Sequence, residues 1–221
     1  MSNENAVVIE NVSKHFGHDT VLENVSLCLT KGSICGIIGR NGSGKTVLMK
    51  CVCGFLRPSA GRVSVFEKQI GRDADFAPDT GMLIETPGFL PRETGLANLL
   101  WLDRLAKRPV GREAVRSVIA RVGLDPALKK HVGHYSLGMK QRLGIAQALL
   151  GDPKLLILDE PMNGLDKSGV LDMRALLLDL KSRGKTILLA SHFAQDIDEL
   201  CDSVYEMDQG RLAEIKIASS T

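Results

Sequence analysis

The sequence predicts an α/β fold with a mostly parallel sheet, an N-terminal antiparallel β-subdomain and a helical insertion. Three observations predict it. From Ser33 onward, short apolar runs bounded by turn residues alternate with segments of helical periodicity, the pattern of parallel strands joined by helices. Between Thr94 and Leu150 the helical pattern runs on with no strand-like segment inside it. A glycine-rich stretch, Gly39–Thr46, separates an apolar run from the start of a helix.

Length and composition bound the rest. A chain of 221 residues with 44% apolar content is expected to build one large domain or two tightly joined lobes, with a real core. A net charge of +2 and an aromatic content of 4% offer neither a basic footprint nor a stacking platform, so no nucleic acid is expected as partner. No apolar run is long enough to cross a bilayer. The segment Met1–Asn5 is polar and has no signal-peptide core. The chain is therefore expected to be cytosolic, with any membrane span supplied by another chain. The five cysteines contain no Cys-x-x-Cys pair, so reduced, buried thiols are expected. His131 and His134 fall one helical turn apart, without a cysteine or third ligand nearby, and do not make a metal site.

Taken in order, Ala6–Val12 and Thr20–Thr30 are predicted strands, antiparallel about the turn Gly17-His18-Asp19. In the second, Val25, Leu27 and Leu29 alternate with Asn24, Ser26 and Cys28. Ser33–Ile38 is a buried strand. The helix after Lys45 runs to Cys53, where Gly54 stops it. Arg62–Phe66 is a strand after the turn Pro58–Gly61. Met82-Leu83-Ile84 is an apolar run ending at Glu85, and Pro87 and Pro91 break the next segment. Leu96, Leu99, Leu100 and Leu105 mark a helix from Thr94, with Trp101 among them as expected core. Phe89 and Leu90, between prolines, are expected to face a partner instead. Further helices are predicted over Arg112–Val122 and Ser136–Leu150. Leu155–Leu158 is a fully apolar strand. Ser168–Arg183 is helical, Thr186–Ala190 a buried strand, and Phe193–Cys201 a short helix. Val204–Met207 and Arg211–Ile217 close the chain as strands.

The chemistry centres on Gly39-Arg40-Asn41-Gly42-Ser43-Gly44-Lys45-Thr46, which fits the phosphate-loop pattern of Gly, four free positions, then Gly-Lys-Ser/Thr. A strand delivers the chain to a turn whose N–H groups point at an anion, and the next helix adds free N–H groups and the positive end of its dipole. In such a loop the lysine reaches the β- and γ-phosphates and the hydroxyl holds Mg²⁺. Downstream, Asp159-Glu160 ends the apolar strand. A strand-end Asp suits Mg²⁺ and the adjacent Glu suits a general base for water. Alternation along a strand would point the two apart.

At this point the sequence resembles a family. Tyr135-Ser136-Leu137-Gly138-Met139-Lys140-Gln141-Arg142 is similar to the signature motif of the ATP-binding-cassette (ABC) ATPases. Glu160-Pro161-Met162-Asn163-Gly164-Leu165-Asp166 resembles that family's catalytic glutamate and D-loop, and Ser191-His192 its switch histidine. Phe16 stands where the family places an adenine-stacking aromatic; packing at a turn is the plain alternative. Asp166 is expected at a dimer contact, as the N-cap of the next helix, or both.

The resemblance covers nearly the whole chain and implies a P-loop NTPase core of the ABC type over residues 1–221. Residues 1–84 and 151–221 would form the nucleotide-binding core with its β-subdomain, and 85–150 the Q-loop region, helical subdomain and signature. ATP and Mg²⁺ are the implied cofactors. Glu160, His192 and Lys45 would be catalytic. Phe16, Gly39 to Thr46, Ser136 and Gly138 would contact nucleotide, with Thr46, Asp159 and Glu85 at the metal. Two cassettes, copies or sister chains, would pair head-to-tail, Ser136 and Gly138 of one meeting the γ-phosphate held by Lys45 of the other. A separate transmembrane permease would hold the pair at the cytoplasmic face of the membrane.

This sequence departs from the family's pattern at Leu137 and Met139, where Gly and Gln are usual, at Glu85 in place of the Q-loop glutamine, and at Arg40 in place of proline. Ile84-Glu85-Thr86-Pro87 and the Tyr135–Leu143 run together resemble the bacitracin- and lantibiotic-type exporter branch. A transporter ATPase exporting an antimicrobial peptide or similar amphipathic compound is the leading expectation. A soluble cassette ATPase acting in assembly is the alternative, and a purely regulatory nucleotide-binding module is disfavoured by Asp159, Glu160 and His192.

Overall fold

The computed structural model describes residues 4–192 and 194–215. Two sheets organise it. In the first, β1 (Asn5–Phe16) pairs antiparallel with β2 (Asp19–Thr30) and with β4 (Ala60–Val65), and β5 (Lys68–Gln69) completes the order β2-β1-β4-β5. β1 runs four residues past the predicted end. Asn11 adopts a left-handed φ of 49° and the register shifts between Ile9 and Val12, so a bulge interrupts the alternation that a sequence pattern can follow. β5 has two residues, too few to show a period.

The second sheet has the order β10-β9-β3-β8-β7-β6. It comprises β3 (Ile34–Ile38), β6 (Thr80–Leu83), β7 (Leu155–Asp159), β8 (Thr186–Ala190), β9 (Ser203–Asp208) and β10 (Arg211–Ile215). Every pairing in it is parallel except β9 with β10. The helices are α1 (Lys45–Cys53), α2 (Gly95–Leu105), α3 (Arg112–Arg121), α4 (Leu137–Ala148), α5 (Lys167–Ser182) and α6 (Ala194–Leu200). The residues predicted to start α2 and α4, Thr94 and Ser136, are their caps instead. Thr94, Ser136 and Asp166 stand just outside α2, α4 and α5, and each accepts from a backbone N–H of the first turn. The predicted start of the last helix at Phe193 and the end of the last strand at Ile217 lie outside the described residues.

The parallel sheet is buried on both faces, as its unbroken apolar strands require. On β7, Leu156 and Leu158 face a core shared with α2 to α5. Leu155 and Ile157 face the opposite core, shared with α1 and the antiparallel sheet. Burial pushes the Cys35 and Cys53 thiols up to about 12 and the Cys51 thiol to about 11, so these cysteines serve as small core residues.

The expected burial of Trp101 and Leu105 does not hold. Leu99 is fully buried, and Leu96 and Leu100 pack on the core, but Trp101 is 51% and Leu105 83% exposed. Trp101 and Leu105, four residues apart, share the outer face of α2. The inner position between them belongs to Asp103, whose buried carboxylate accepts from the Val110 and Gly111 N–H groups. Phe89, expected to face outward, packs on the core, whereas Leu90 is exposed.

The helices reach the sheet through glycine. A Cβ on Gly81 of β6 would lie 1.8 Å from the Ala148 carbonyl oxygen of α4, whereas one on Gly88 would meet nothing. Gly81→Ala is expected to cost ~1–3 kcal/mol through overpacking, a fall in Tm of roughly 2–4 °C per kcal/mol for a chain of this size. Gly88→Ala should melt with the parent. Calorimetry on the pair checks this, and equal melting of all three would show that the close approach is not required.

Candidate nucleotide-binding and active site

The parallel strands β3, β6, β7, β8 and β9 all end on one edge of the sheet, and β3 lies where the order reverses, between β8 and β9. In open α/β sheets this carboxyl edge at the reversal is where a crevice forms. Gly39–Gly44 leave β3 there. Gly39, Gly42 and Gly44 have φ of 151°, 80° and 114°, and close approach demands two of them. A Cβ on Gly39 would lie 2.2 Å from the Met207 carbonyl oxygen, and one on Gly44 would lie 3.0 Å from the Val21 oxygen. Gly44 begins α1 with no side-chain cap and no acidic residue in the first turn. The helix therefore presents its free N–H groups and positive dipole end to the crevice.

A cavity of about 430 Å³ is lined by Val21, residues Asn41 to Val47, Asp159 and Glu160. Lys45 is 6% exposed, and its ammonium donates to the Gly39 and Arg40 carbonyls at 2.6 and 3.2 Å. Arg40 thus takes part through its backbone, as a loop built on main-chain groups needs, while its side chain is exposed. The Thr46 hydroxyl donates to Asp159 Oδ2 at 2.6 Å. The Ser43 hydroxyl and Glu160 Oε1 are buried at the site and have no hydrogen-bond partner among the described residues.

Glu160 lies one residue past β7 with a left-handed φ of 50°, a conformation that costs a non-glycine residue of order 1–3 kcal/mol. Strand alternation therefore does not separate it from Asp159; the left-handed turn does. Its Oε2 lies 2.7 Å from His192 Nδ1. A carboxylate only accepts, so with Glu160 ionised this nitrogen carries the proton. The backbone N–H of Glu160 donates to the Ala190 oxygen of β8.

The other expected site residues lie around this centre. Glu85, at φ 59°, ends the β6 edge and is ion-paired to Lys50 of α1 at 2.6 Å. With Thr86, Leu137, Gln141 and Asn163 it lines an adjoining cavity of about 300 Å³, whose remaining wall is Asp159 and Glu160. Phe16 is exposed at the end of β1, with the Lys14 ammonium 5.0 Å from its ring centroid, and it does not line the phosphate-loop cavity. Ser136 and Gly138 also stand outside that cavity. Ser136 is exposed and caps α4, accepting from the Met139 N–H at 3.2 Å. Asp166 caps α5, accepting from the Gly169 N–H at 2.8 Å.

Three contributors escaped the sequence reading. Lys50 faces Glu85 because α1 runs beside the end of β6, which no spacing reveals. Val21 arrives from the other sheet. Gln141 sits inside the Tyr135–Arg142 run, but nothing in that run shows that its amide donates to the Glu160 carbonyl at 2.9 Å.

The fold and site define a phosphate-loop nucleotide-binding ATPase. Residues 22–163 match the family model described as ABC transporter. The chain is 40% identical over 206 residues to an uncharacterized ABC transporter ATP-binding protein, YybJ, of Bacillus subtilis, covering 93% of this chain and 94% of that one. It is 39% identical to the bacitracin transport ATP-binding protein BcrA of Enterococcus faecalis (96% and 69% covered) and 35% to the lantibiotic transport ATP-binding protein SrtF of Streptococcus pyogenes (92% and 87%). The crystal structure of a nucleotide-free ATP-binding cassette from an ABC transporter superposes with a TM-score of 0.83 at 27% identity, covering 97% of this chain and 92% of that one. The chain belongs to the ABC transporter family and is an ATP-binding, ATP-hydrolysing subunit of it.

Lys45→Ala is expected to raise the ATP dissociation constant about ten- to hundredfold, the scale of one charge-assisted hydrogen bond. Isothermal titration checks this; an unchanged constant would remove Lys45 from the phosphate site.

Proposed function

We propose that this chain powers export of an antimicrobial peptide or similar amphipathic compound through a separate transmembrane permease. The convergence of Lys45, Thr46, Asp159 and Glu160 on one cavity carries the hydrolytic part of the reading. Its likeness to BcrA and SrtF supports the substrate class. Among the described residues no helix is long and apolar enough to cross a membrane. In this reading a second chain supplies the span, and this one sits on its cytoplasmic face. Exposed Leu90, clamped to Asn98 of α2 through two hydrogen bonds, and exposed Trp101 offer that chain an apolar surface.

The loop's N–H groups and the α1 dipole hold the phosphates of ATP. The Lys45 ammonium leaves the Gly39 and Arg40 carbonyls for the β- and γ-phosphates. The residues fit a magnesium ion: Thr46 Oγ1 and Asp159 Oδ2 are a hydroxyl and a carboxylate side by side, oxygen donors of the kind Mg²⁺ takes. Bound Mg²⁺ supplies charge neutralisation across the phosphate oxygens. Glu160 is the base. His192 occupies its Oε2, so the unpartnered Oε1 is the atom that orients water and accepts its proton. His192 then senses the γ-phosphate through the same carboxylate.

Phe16 presents a ring for the adenine. Glu85, ion-paired to Lys50 at 2.6 Å, would add a further oxygen donor on the side of the magnesium site. Ser136 and Gly138, lying outside their own chain's cavity, serve the nucleotide of a second cassette. Asp166, in the loop beside them, lies at the same contact while capping α5. Residues 1–84 and 151–221 then bind nucleotide while 85–150 form the region that meets the permease and the second cassette.

Glu160→Gln is expected to keep ATP affinity and lose turnover by roughly 10²–10⁴-fold, accumulating an ATP-bound dimer visible by size-exclusion chromatography. Turnover at the parent rate would remove Glu160 as base. The transport reading is tested by purifying the tagged chain from detergent-solubilised membranes of its host. A multi-span protein in stoichiometric amount is expected, and a chain recovered wholly without one would overturn the permease assignment.

A further inference from the structure

The first turn of α4 is locked onto the loop that carries Glu160, within the same chain. Leu137 and Gln141 stand four residues apart on one helix face, and both line the cavity walled by Asp159 and Glu160. The Gln141 amide reaches the Glu160 carbonyl at 2.9 Å. That oxygen can only accept, so the NH₂ end of Gln141 faces it. The same carbonyl accepts from the Asn163 N–H, closing the next turn of the chain. Two further contacts leave no slack. A Cβ on Gly138 would lie 2.8 Å from the Gly164 oxygen, and a Cβ on Gly164 would lie 2.5 Å from Leu137 Cγ.

We propose that Gln141 is a positioning residue for Glu160, and that through it the start of α4 sets the hydrolytic rate of its own chain's site. The inference rests on Glu160 being the base. Glu160 adopts a left-handed conformation that a non-glycine residue keeps only when its surroundings impose it. Its N–H is held by β8 and its carbonyl by Gln141, and these two points fix the direction in which the carboxylate leaves the backbone. If the Gln141 bond is lost, the Asn163 N–H alone holds the Glu160 carbonyl, and Oε1 shifts relative to the cavity while the phosphate loop stays in place. Displacement of α4 by anything bound at Ser136 and Gly138 reaches Glu160 by the same bond, so a second cassette's nucleotide bears on this chain's base without touching it.

The test uses the full chain with saturating Mg·ATP. Gln141→Met keeps the length and removes the donor. Gln141→Lys restores a donor on a stem of similar reach. Gln141→Leu, also without a donor and without added charge, replaces the Met variant if that one does not fold. The expected result for the Met variant is a kcat lowered roughly ten- to hundredfold, the scale of a small misplacement at a reacting group, with the ATP dissociation constant, KM and Tm within error of the parent. The Lys variant should regain most of the rate. Parent-like kcat in the Met variant, a loss of ATP affinity in step with kcat, or a Lys variant as slow as Met would each overturn the proposal. Glu160→Gln measured alongside separates the two failures. If it hydrolyses ATP at the parent rate, the reading of Glu160 falls and the proposal with it. If it is inactive while Gln141→Met is unimpaired, only the positioning role falls.

Discussion

The junction at which β3 becomes α1 governs the rest of the structure. Backbone N–H groups at the start of a helix have no intrahelical partner, and here no side chain caps them. They are left for an anion, and the chain around them is arranged so that an anion can reach them. β3 is buried between β8 and β9, its loop is pressed against the Met207 carbonyl, and Gly44 is pressed against β2. Side chains at Gly39 or Gly44 would push the loop out of that cradle. The glycines are thus required by approach as much as by their dihedral angles.

A parallel sheet extends this one constraint to the other groups. Parallel strands must be joined by crossovers that return to the same starting edge, so β3, β6, β7 and β8 all deliver their ends to the same side. Asp159, Glu160, His192 and Glu85 are gathered there for that reason, although they are far apart in the chain. Their charges are then managed locally. Lys45 is buried yet satisfied by two carbonyls, Asp159 accepts from Thr46, and Glu160 shares one oxygen with His192. Low polarity would make an unpaired ammonium costly, and the two carbonyl contacts are what allow Lys45 to be buried at the loop.

The departures from the family's usual residues have local physical consequences. Glu85 brings a negative charge close to two other carboxylates, and Lys50 offsets it with an ion pair whose carboxylate side is 62% exposed. An exposed pair of this kind contributes little stability, about 0–1 kcal/mol, so it can open without disturbing the fold. Leu137, where the family usually has glycine, packs its side chain over Gly164, so a Cβ there would lie 2.5 Å from Leu137 Cγ and Leu137 would have to move. The bulk added at one position is matched by the absence of a side chain at the other.

By itself the sequence determined the elements whose signals are local. These are the buried apolar strands, the cap at Asp166, the stop at Gly54 and the phosphate loop, because turn chemistry, periodicity and glycine act over a few residues. Asp159 and Glu160 were legible at the end of an apolar strand, and the family resemblance named His192 at another strand end. Only the tertiary structure decided which groups meet. The outward face of Trp101 results from Asp103 taking the inner position, the length of β1 from a bulge at Asn11, and the direction of Glu160 from a left-handed turn rather than from strand alternation. The Lys50–Glu85 and Gln141–Glu160 contacts join residues that share no local pattern. They exist because the sheet order sets the ends of β6 and β7 beside α1 and α4, and strand order depends on long-range packing that no short window of sequence contains.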